Sequence, residues 1–409
     1  MTEDAKQPNN AARRRDWILL PILAILTVAA LLAGAEVSAR IVFPEQKAVL
    51  ASCFVLNDTV HGVRGKPDCH FVETWRESGT VSYQLDDQGY RNPAGLLAHA
   101  GNAFRIVMTG SSIAMAEHVP QDESAAAILP RLLEQHTGHP VVLYNEGMGF
   151  GFAENTDLRF QDVLDVAPNL ILWVITPYDI SGASLVNPDT NLVQWGNQSL
   201  LVKIRSRIQN FFANKSPQQA ISDFLGRTRT AFALQFILYR SPSLYLKSYL
   251  DQVDSETGFL RQNLTPAWTV NLQETRRFSA EISHKAHAAG IPIVVTYIPN
   301  HAQAEMIAMG SWPKGYDPYR LNQIVQRMVV SQGDIFLNIA PQYRNIPIAD
   351  LQKDYLPVDG HPNARGQALI ARLTAQAMLE NPSIRDQTQD VMKGEDGSHR
   401  LRTFSGGQP

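Results

Sequence analysis

Hydrophobic positions fall into three regimes along the chain. From Trp17 to Ala35, WILLPILAILTVAALLAGA, no side chain is charged. At about 1.5 Å per residue this run spans roughly 28 Å as a helix, close to the hydrocarbon thickness of a bilayer. From about residue 37 to 100 the pattern shortens to alternation, as in Thr80-Val81-Ser82-Tyr83-Gln84-Leu85 before Asp86-Asp87-Gln88-Gly89. That alternation predicts a small β-rich module. Beyond it come near-continuous apolar runs at Phe104 to Thr109, Val141 to Tyr144, Leu170 to Ile175, Ile291 to Tyr297 and Ile335 to Ile339. Runs of this kind fit strands buried on both faces of a parallel sheet. Helical stretches separate or follow them, over Asp122 to His136, Ala153 to Val166, Leu272 to Ala289, Pro318 to Ser331 and Asn363 to Leu379. The predicted fold is α/β, a doubly wound five-stranded parallel sheet with a single N-terminal transmembrane helix and a helical insertion.

The expected organisation follows. Residues 1–16 form a cytoplasmic tail, 17–36 the anchor, 37–100 the β-rich lead-in, 101–380 the α/β domain and 381–409 a polar, disordered tail. The insertion covers about 182–271. Arg13, Arg14 and Arg15 precede the apolar run, which places the N-terminus in the cytoplasm and the rest across an inner membrane, in the periplasm. A cleaved signal peptide is the alternative reading, because Ala33-Gly34-Ala35 has the character of a cleavage site. The body of the protein is exported in both cases. In an oxidising compartment Cys53 and Cys69 can form a disulfide, and two free thiols in a small core are the alternative.

Composition narrows the function. The 409 residues carry a net charge of −3, from 36 basic and 39 acidic side chains, which argues against nucleic acid as the main partner. Two cysteines and the lack of HExxH, GxxxxGK[ST] and GxGxxG patterns leave no metal or nucleotide signature, and no cofactor is expected. Charge is uneven, however. Between Ser199 and Leu250, Lys203, Arg205, Arg207, Lys215, Arg227, Arg229, Arg240 and Lys247 stand against one acid, Asp223, among several aromatic residues. The segment reads as a solvated helical face, a contact with anionic headgroups or a grip on an anionic glycan.

In doubly wound folds the ligand sits beyond the carboxyl ends of the strands. Those ends carry Thr109-Gly110-Ser111-Ser112, Asn145-Glu146-Gly147-Met148-Gly149-Phe150-Gly151, Thr176-Pro177-Tyr178-Asp179 and Pro299-Asn300-His301. Before the last helix stands Val358-Asp359-Gly360-His361-Pro362-Asn363. A hydroxyl, an imidazole, a carboxylate and a Gly-rich turn on one edge are the parts of nucleophilic serine catalysis.

These blocks, in this order, resemble the SGNH (GDSL-type) hydrolases, and Gly89-Tyr90-Arg91 resembles the lead-in of their membrane-anchored bacterial branch. The resemblance covers roughly Phe104 to Leu379 without the insertion and implies a flavodoxin-like sandwich. It implies Ser112 as nucleophile, His361 as general base and Asp359 as its orienter. The oxyanion hole would comprise the Ser112 amide, Gly149 (or Gly151) and Tyr178. Asn300 and His301 are candidates for substrate contact, whereas Asp179 reads as a cap and Asn145 as a structural hydrogen-bonder.

The sequence departs from the family's pattern in three places. Ser111 replaces the usual Asp, Asp359 and His361 are spaced D-x-H rather than D-x-x-H, and Tyr178 stands where an oxyanion-hole Asn is usual. Loss of that amide donor removes roughly 3 kcal/mol of transition-state stabilisation. The implied activity is an exported serine esterase acting on acyl, above all acetyl, esters of a carbohydrate or envelope polymer. The alternatives are an O-acyltransferase of such a polymer and an inactive assembly module with envelope partners.

Overall fold

A computed structural model describes residues 10–45, 50–58, 60–149, 152–181, 228–252 and 257–385. Of the expected disordered tail, 381–409, residues 382–385 are helical and Ile384 is buried in the core; its part beyond 385, Gly151 and the basic segment up to 227 lie outside the described residues.

Helix α1 (Asn10–Val42) contains the apolar run and continues past it through Glu36 and Arg40. Its Leu19–Val42 stretch is long and apolar enough to cross a membrane. Next come two antiparallel hairpins, β1 (Phe54–Asp58) with β2 (Gly62–Gly65) and β3 (His70–Trp75) with β4 (Gly79–Gln84). Cys53 and Cys69 are disulfide-bonded across the first hairpin, with their Cα atoms 5.7 Å apart.

The sheet proper follows. Strand β5 (Phe104–Gly110) leads into a short helix α2 (Ser112–Met115) and then α3 (Ala125–Thr137). Strand β6 (Val141–Asn145) is followed by α4 (Ala153–Leu158) and α5 (Phe160–Asp165), and β7 (Leu170–Ile175) by α6 (Pro177–Ser181). The described part of the insertion is helical, as expected, in α7 (Arg229–Leu238) and α8 (Pro242–Leu250). Helix α9 (Pro266–Ala288) starts six residues earlier than the hydrophobic pattern predicts, at a proline in the first turn, where its missing N–H costs nothing. Strand β8 (Ile293–Tyr297), α10 (His301–Met309), α11 (Arg320–Ser331), β9 (Ile335–Leu337) and α12 (Ala364–Glu380) complete the chain.

All five predicted strands form one parallel sheet in the order β6-β5-β7-β8-β9. Every residue of β7 and β8 is buried, which is why their sequences read as unbroken apolar runs rather than as alternation. Helices α3 and α12 pack together on one side of the sheet, and α4, α5 and α9 on the other. The order reverses at β5, which lies between β6 and β7, and in such sheets ligands bind outside the carboxyl ends of the strands at that switch point. The lead-in hairpins join the same hydrophobic core: Phe71 stacks on Tyr83 at 4.5 Å, and both belong to the cluster that includes Phe104 and Ile106.

Candidate functional site

Ser112 is the first residue of α2, directly beyond β5, and its side chain meets the loop that precedes α12. His361 Nε2 lies 2.8 Å from Ser112 Oγ, and His361 Nδ1 lies 2.6 Å from Asp359 Oδ1. The short spacing works because Gly360 takes φ +85°, a left-handed conformation that suits glycine. The chain turns back at that point, and Asp359 Oδ1 also accepts the backbone N–H of His361 at 3.1 Å. Asn363 caps α12 by accepting N–H groups of Arg365 and Gly366. Gln367, one turn later, donates to the Ile113 carbonyl and accepts from Ala125 N–H, tying the histidine loop's helix to both helices that follow β5.

The adjacent serines separate cleanly. Ser111 is 3% exposed and faces Asp179, whose carboxylate also accepts from Thr176 N–H at 2.8 Å. Burial raises the Asp179 carboxyl to about 6. Asp179 braces the turn through Thr176, and Ser112 is the hydroxyl that reaches His361. Asn145 also serves the fold, donating to the Ala114 carbonyl and accepting Gly147 N–H.

Electrostatics favour charge on the imidazole. Burial opposes ionisation of His361, but the Asp359 carboxylate, with Glu117 and Glu73 adding to it, raises it from 6.5 to about 9. Burial likewise opposes the Asp359 charge, and His361 overrides it, holding Asp359 at about 2.

Several residues around this chain were not singled out by the sequence. Glu77, in the β3–β4 turn, accepts the N–H groups of Val358 and Asp359, each at 2.8 Å, so the lead-in module holds the Asp359 loop directly. Burial raises the Glu77 carboxyl to about 7. His118 stacks on Trp75 at 4.1 Å and meets His361 edge-on at 5.3 Å. Glu117 is buried, and its carboxylate lies against Gly149, where a Cβ has no room. Burial raises the Glu117 carboxyl, while His361 and His118 pull it back.

Ala116 and His118, either side of Glu117, adopt φ +58° and +66°. Such backbone costs on the order of 1–3 kcal/mol per residue and needs outside support. Arg91 supplies it by donating to the carbonyls of Met115, Ala116 and Val119, with its guanidinium over the Tyr83 ring. The Gly89-Tyr90-Arg91 block was the only sequence signal for this second layer.

The remaining expected residues are placed as follows. Gly149 lies beside the site, with its N–H directed at Met115 Sδ at 3.3 Å. The Tyr178 ring lies nearly parallel to that of His361, 11° off at 6.4 Å, with its hydroxyl close to Gly360. Asn300 and His301 are buried. Asn300 caps α10 by accepting Gln303 N–H and donates to the Tyr249 hydroxyl. His301 stacks with Tyr245 and Tyr355 and approaches Glu305 at 3.2 Å. Their side chains are engaged with the fold, and neither enters the site described here.

Ligand atoms of His118, Asp359 and His361 lie within 4.8 Å of one another. A divalent ion there would compete with Ser112 for His361, and no step below uses one.

No family model and no curated protein matches the chain. Among solved structures it is similar to an acetylxylan esterase from Geobacillus stearothermophilus, at 11% identity and TM-score 0.36 over 67% of this chain and 93% of that one. It is also similar to a second acetyl xylan esterase, at 11% identity and TM-score 0.37 over 67% of this chain and 98% of that one. A third is an esterase from a Pseudoalteromonas species, at 11% identity and TM-score 0.30 over 71% of this chain and 97% of that one. At such identity and TM-score the likeness assigns no activity, and the functional reading rests on the geometry of the chain itself.

Proposed function

We propose that the protein is an exported, inner-membrane-anchored serine esterase of SGNH type that removes acyl groups, above all acetyl, from a carbohydrate or envelope polymer. The Ser112–His361–Asp359 chain, with both links at hydrogen-bond distance, carries the reading. In the acylation step neutral His361 Nε2 takes the Ser112 proton as Oγ attacks the ester carbonyl, and Asp359 stabilises the imidazolium that forms. The oxyanion is met by the Ser112 N–H, at a first helical position with no acceptor inside the helix, and by Gly149 N–H. Thioether sulfur is a weak acceptor, so Gly149 N–H can leave Met115 Sδ for an oxyanion at little cost. The imidazolium then protonates the departing sugar oxygen, which leaves as the hydroxyl; water, deprotonated by His361, attacks the acyl-enzyme, and the imidazolium returns that proton to Ser112 Oγ as the acid departs.

A second reading is O-acyl transfer, in which a sugar hydroxyl replaces water in the last step. The aromatic ring of Tyr178 beside His361 favours it, since it offers a flat apolar wall where an amide donor was expected. An inactive assembly module would have no need of a serine hydroxyl held against a paired imidazole.

The full-length protein in detergent, treated with a fluorophosphonate probe, tests the reading. Ser112→Ala should abolish covalent labelling and ester hydrolysis, and Ser111→Ala should keep both. Labelling that survives Ser112→Ala removes the proposal.

A further inference from the structure

Helix α7 belongs to the insertion, yet it docks on the end of the apolar helix α1. Glu36 Oε1 accepts Arg229 N–H at 3.1 Å, and Glu36 Oε2 accepts the Thr230 N–H and hydroxyl at 3.0 and 2.9 Å. About two turns further, Phe43 packs edge-on against Phe232 and Phe236 at 5.2 and 5.1 Å. The stretch from Glu36 to Phe43, the last turns of α1 and the residue after them, is therefore the level at which α7 lies. Leu19–Val42 contains 24 residues, about 36 Å of helix, whereas a hydrocarbon core is about 30 Å thick. Its last turns, and α7 with them, fall at the boundary between acyl chains and headgroups.

At that level α7 leaves an apolar face uncovered. Leu234, Ile237 and Leu238 follow the i, i+3, i+4 spacing of one helical face and are 56%, 65% and 40% exposed. Leu244, at the start of α8, is also exposed. Cations flank the face: Arg240 lies over the Phe236 ring at 4.5 Å, and Lys247 is exposed on α8. An apolar face bordered by basic side chains is the composition of a helix lying in a membrane interface.

We infer that the Leu234–Ile237–Leu238 face of α7 inserts into the headgroup–acyl boundary beside α1, fixing the α/β domain at one orientation on the membrane. The inference rests on α1 being the anchor. Helix α8, which follows directly, carries Tyr245 against His301 and Tyr249 against Asn300, so the membrane-facing pair is packed onto the catalytic domain rather than tethered to it.

The test uses the full chain in nanodiscs. Both native cysteines are paired, so Ile237→Cys and Leu26→Cys each provide one thiol for an environment-sensitive NBD label. The expected result is at least twofold quenching at position 237 by lipid with a doxyl group near the headgroup, and less by lipid doxylated deep in the chain. Position 26 should show the reverse. No doxyl quenching at 237, with 26 quenched, overturns the inference and leaves the anchor standing. Blue-shifted emission at 237 without quenching places the face against protein, a second copy or residues 182–227, and also overturns it. If 26 is unquenched as well, the anchor reading fails and takes the inference with it.

Discussion

A histidine held at about 9 cannot serve as a general base at neutral pH in most molecules. With that value about 1% of the imidazole is neutral at pH 7, against roughly three quarters at the ordinary 6.5. If His361 is the base, kcat/KM on an aryl acetate should climb about tenfold per pH unit from 7 towards 9 and then level off. Glu117 is the carboxylate to perturb, because it acts on His361 through space and holds no hydrogen bond to it. Glu117→Gln keeps the volume against Gly149 and removes one of the neighbouring carboxyl groups that raise His361. The rising limb should move to lower pH, so kcat/KM at pH 7 increases while the two enzymes converge above pH 9. A wild-type profile flat from 6.5 to 9, or superimposable profiles, would falsify this account of the site.

The same ion pair couples stability to pH. His361 titrates higher folded than unfolded, so its contribution is complete below pH 6.5 and lost as pH rises through about 9. Asp359 titrates lower folded than unfolded, so its contribution is complete above 3.8 and lost as pH falls through about 2. The two shifts describe one interaction and do not add. On the alkaline side it is worth at most about 3 kcal/mol, less to the extent that solvent reaches the ring. Asp359→Asn should flatten the melting temperature between pH 6.5 and 9, and should lower kcat by about four orders of magnitude through loss of the imidazole's orienter.

Three further outcomes are expected. If the Tyr178 hydroxyl assists the oxyanion, Tyr178→Phe lowers kcat on an aryl acetate about tenfold; unchanged hydrolysis together with a gain from Tyr178→Asn would instead favour transfer to a sugar hydroxyl. Glu77→Ala should reduce kcat tenfold or more with KM little changed, and Glu77→Gln, which keeps one acceptor oxygen, should reduce it less; equal rates in all three proteins rule out a positioning role. Cys53→Ser with Cys69→Ser should cost roughly 3 kcal/mol of stability, the expectation for a loop of about 15 residues, read as a lower urea midpoint; an unchanged midpoint refutes it.

What was legible in the sequence follows from the period of each element. Strands β7 and β8 are buried on both faces, so their apolar runs stood out, and the residues just beyond strand ends could be listed as site candidates. Ser112, Asp359 and His361 could be listed together in this way because each sits on the same edge of the sheet, and their side chains lie at hydrogen-bond distance. The contrast between Ser111 and Ser112 needed three dimensions: adjacent hydroxyls in a tight turn point in different directions, and only packing shows that Ser111 faces Asp179. Asn300 and His301 were listed for the same reason but are packed differently. A strand end brings a residue to the correct edge, but α8 folds back over that position and its tyrosines bury both side chains.

The second layer was illegible because it comes from the other side of a pattern boundary. Residues 37 to 100 alternate while the following runs are continuous, which reads as two units, yet Glu77 lies 282 positions from the Asp359 amide it holds. No local period encodes such a contact. Arg91 shows the same logic from within the one block that did stand out: its three hydrogen bonds go to carbonyls of the segment after Ser112, where two non-glycine residues hold left-handed backbone. That segment delivers Glu117 and His118 to the imidazole. On the proposed mechanism the hairpins would act on the chemistry through the Asp359 loop and through the charges beside His361, and changes there should be read in kcat and in the pH limb.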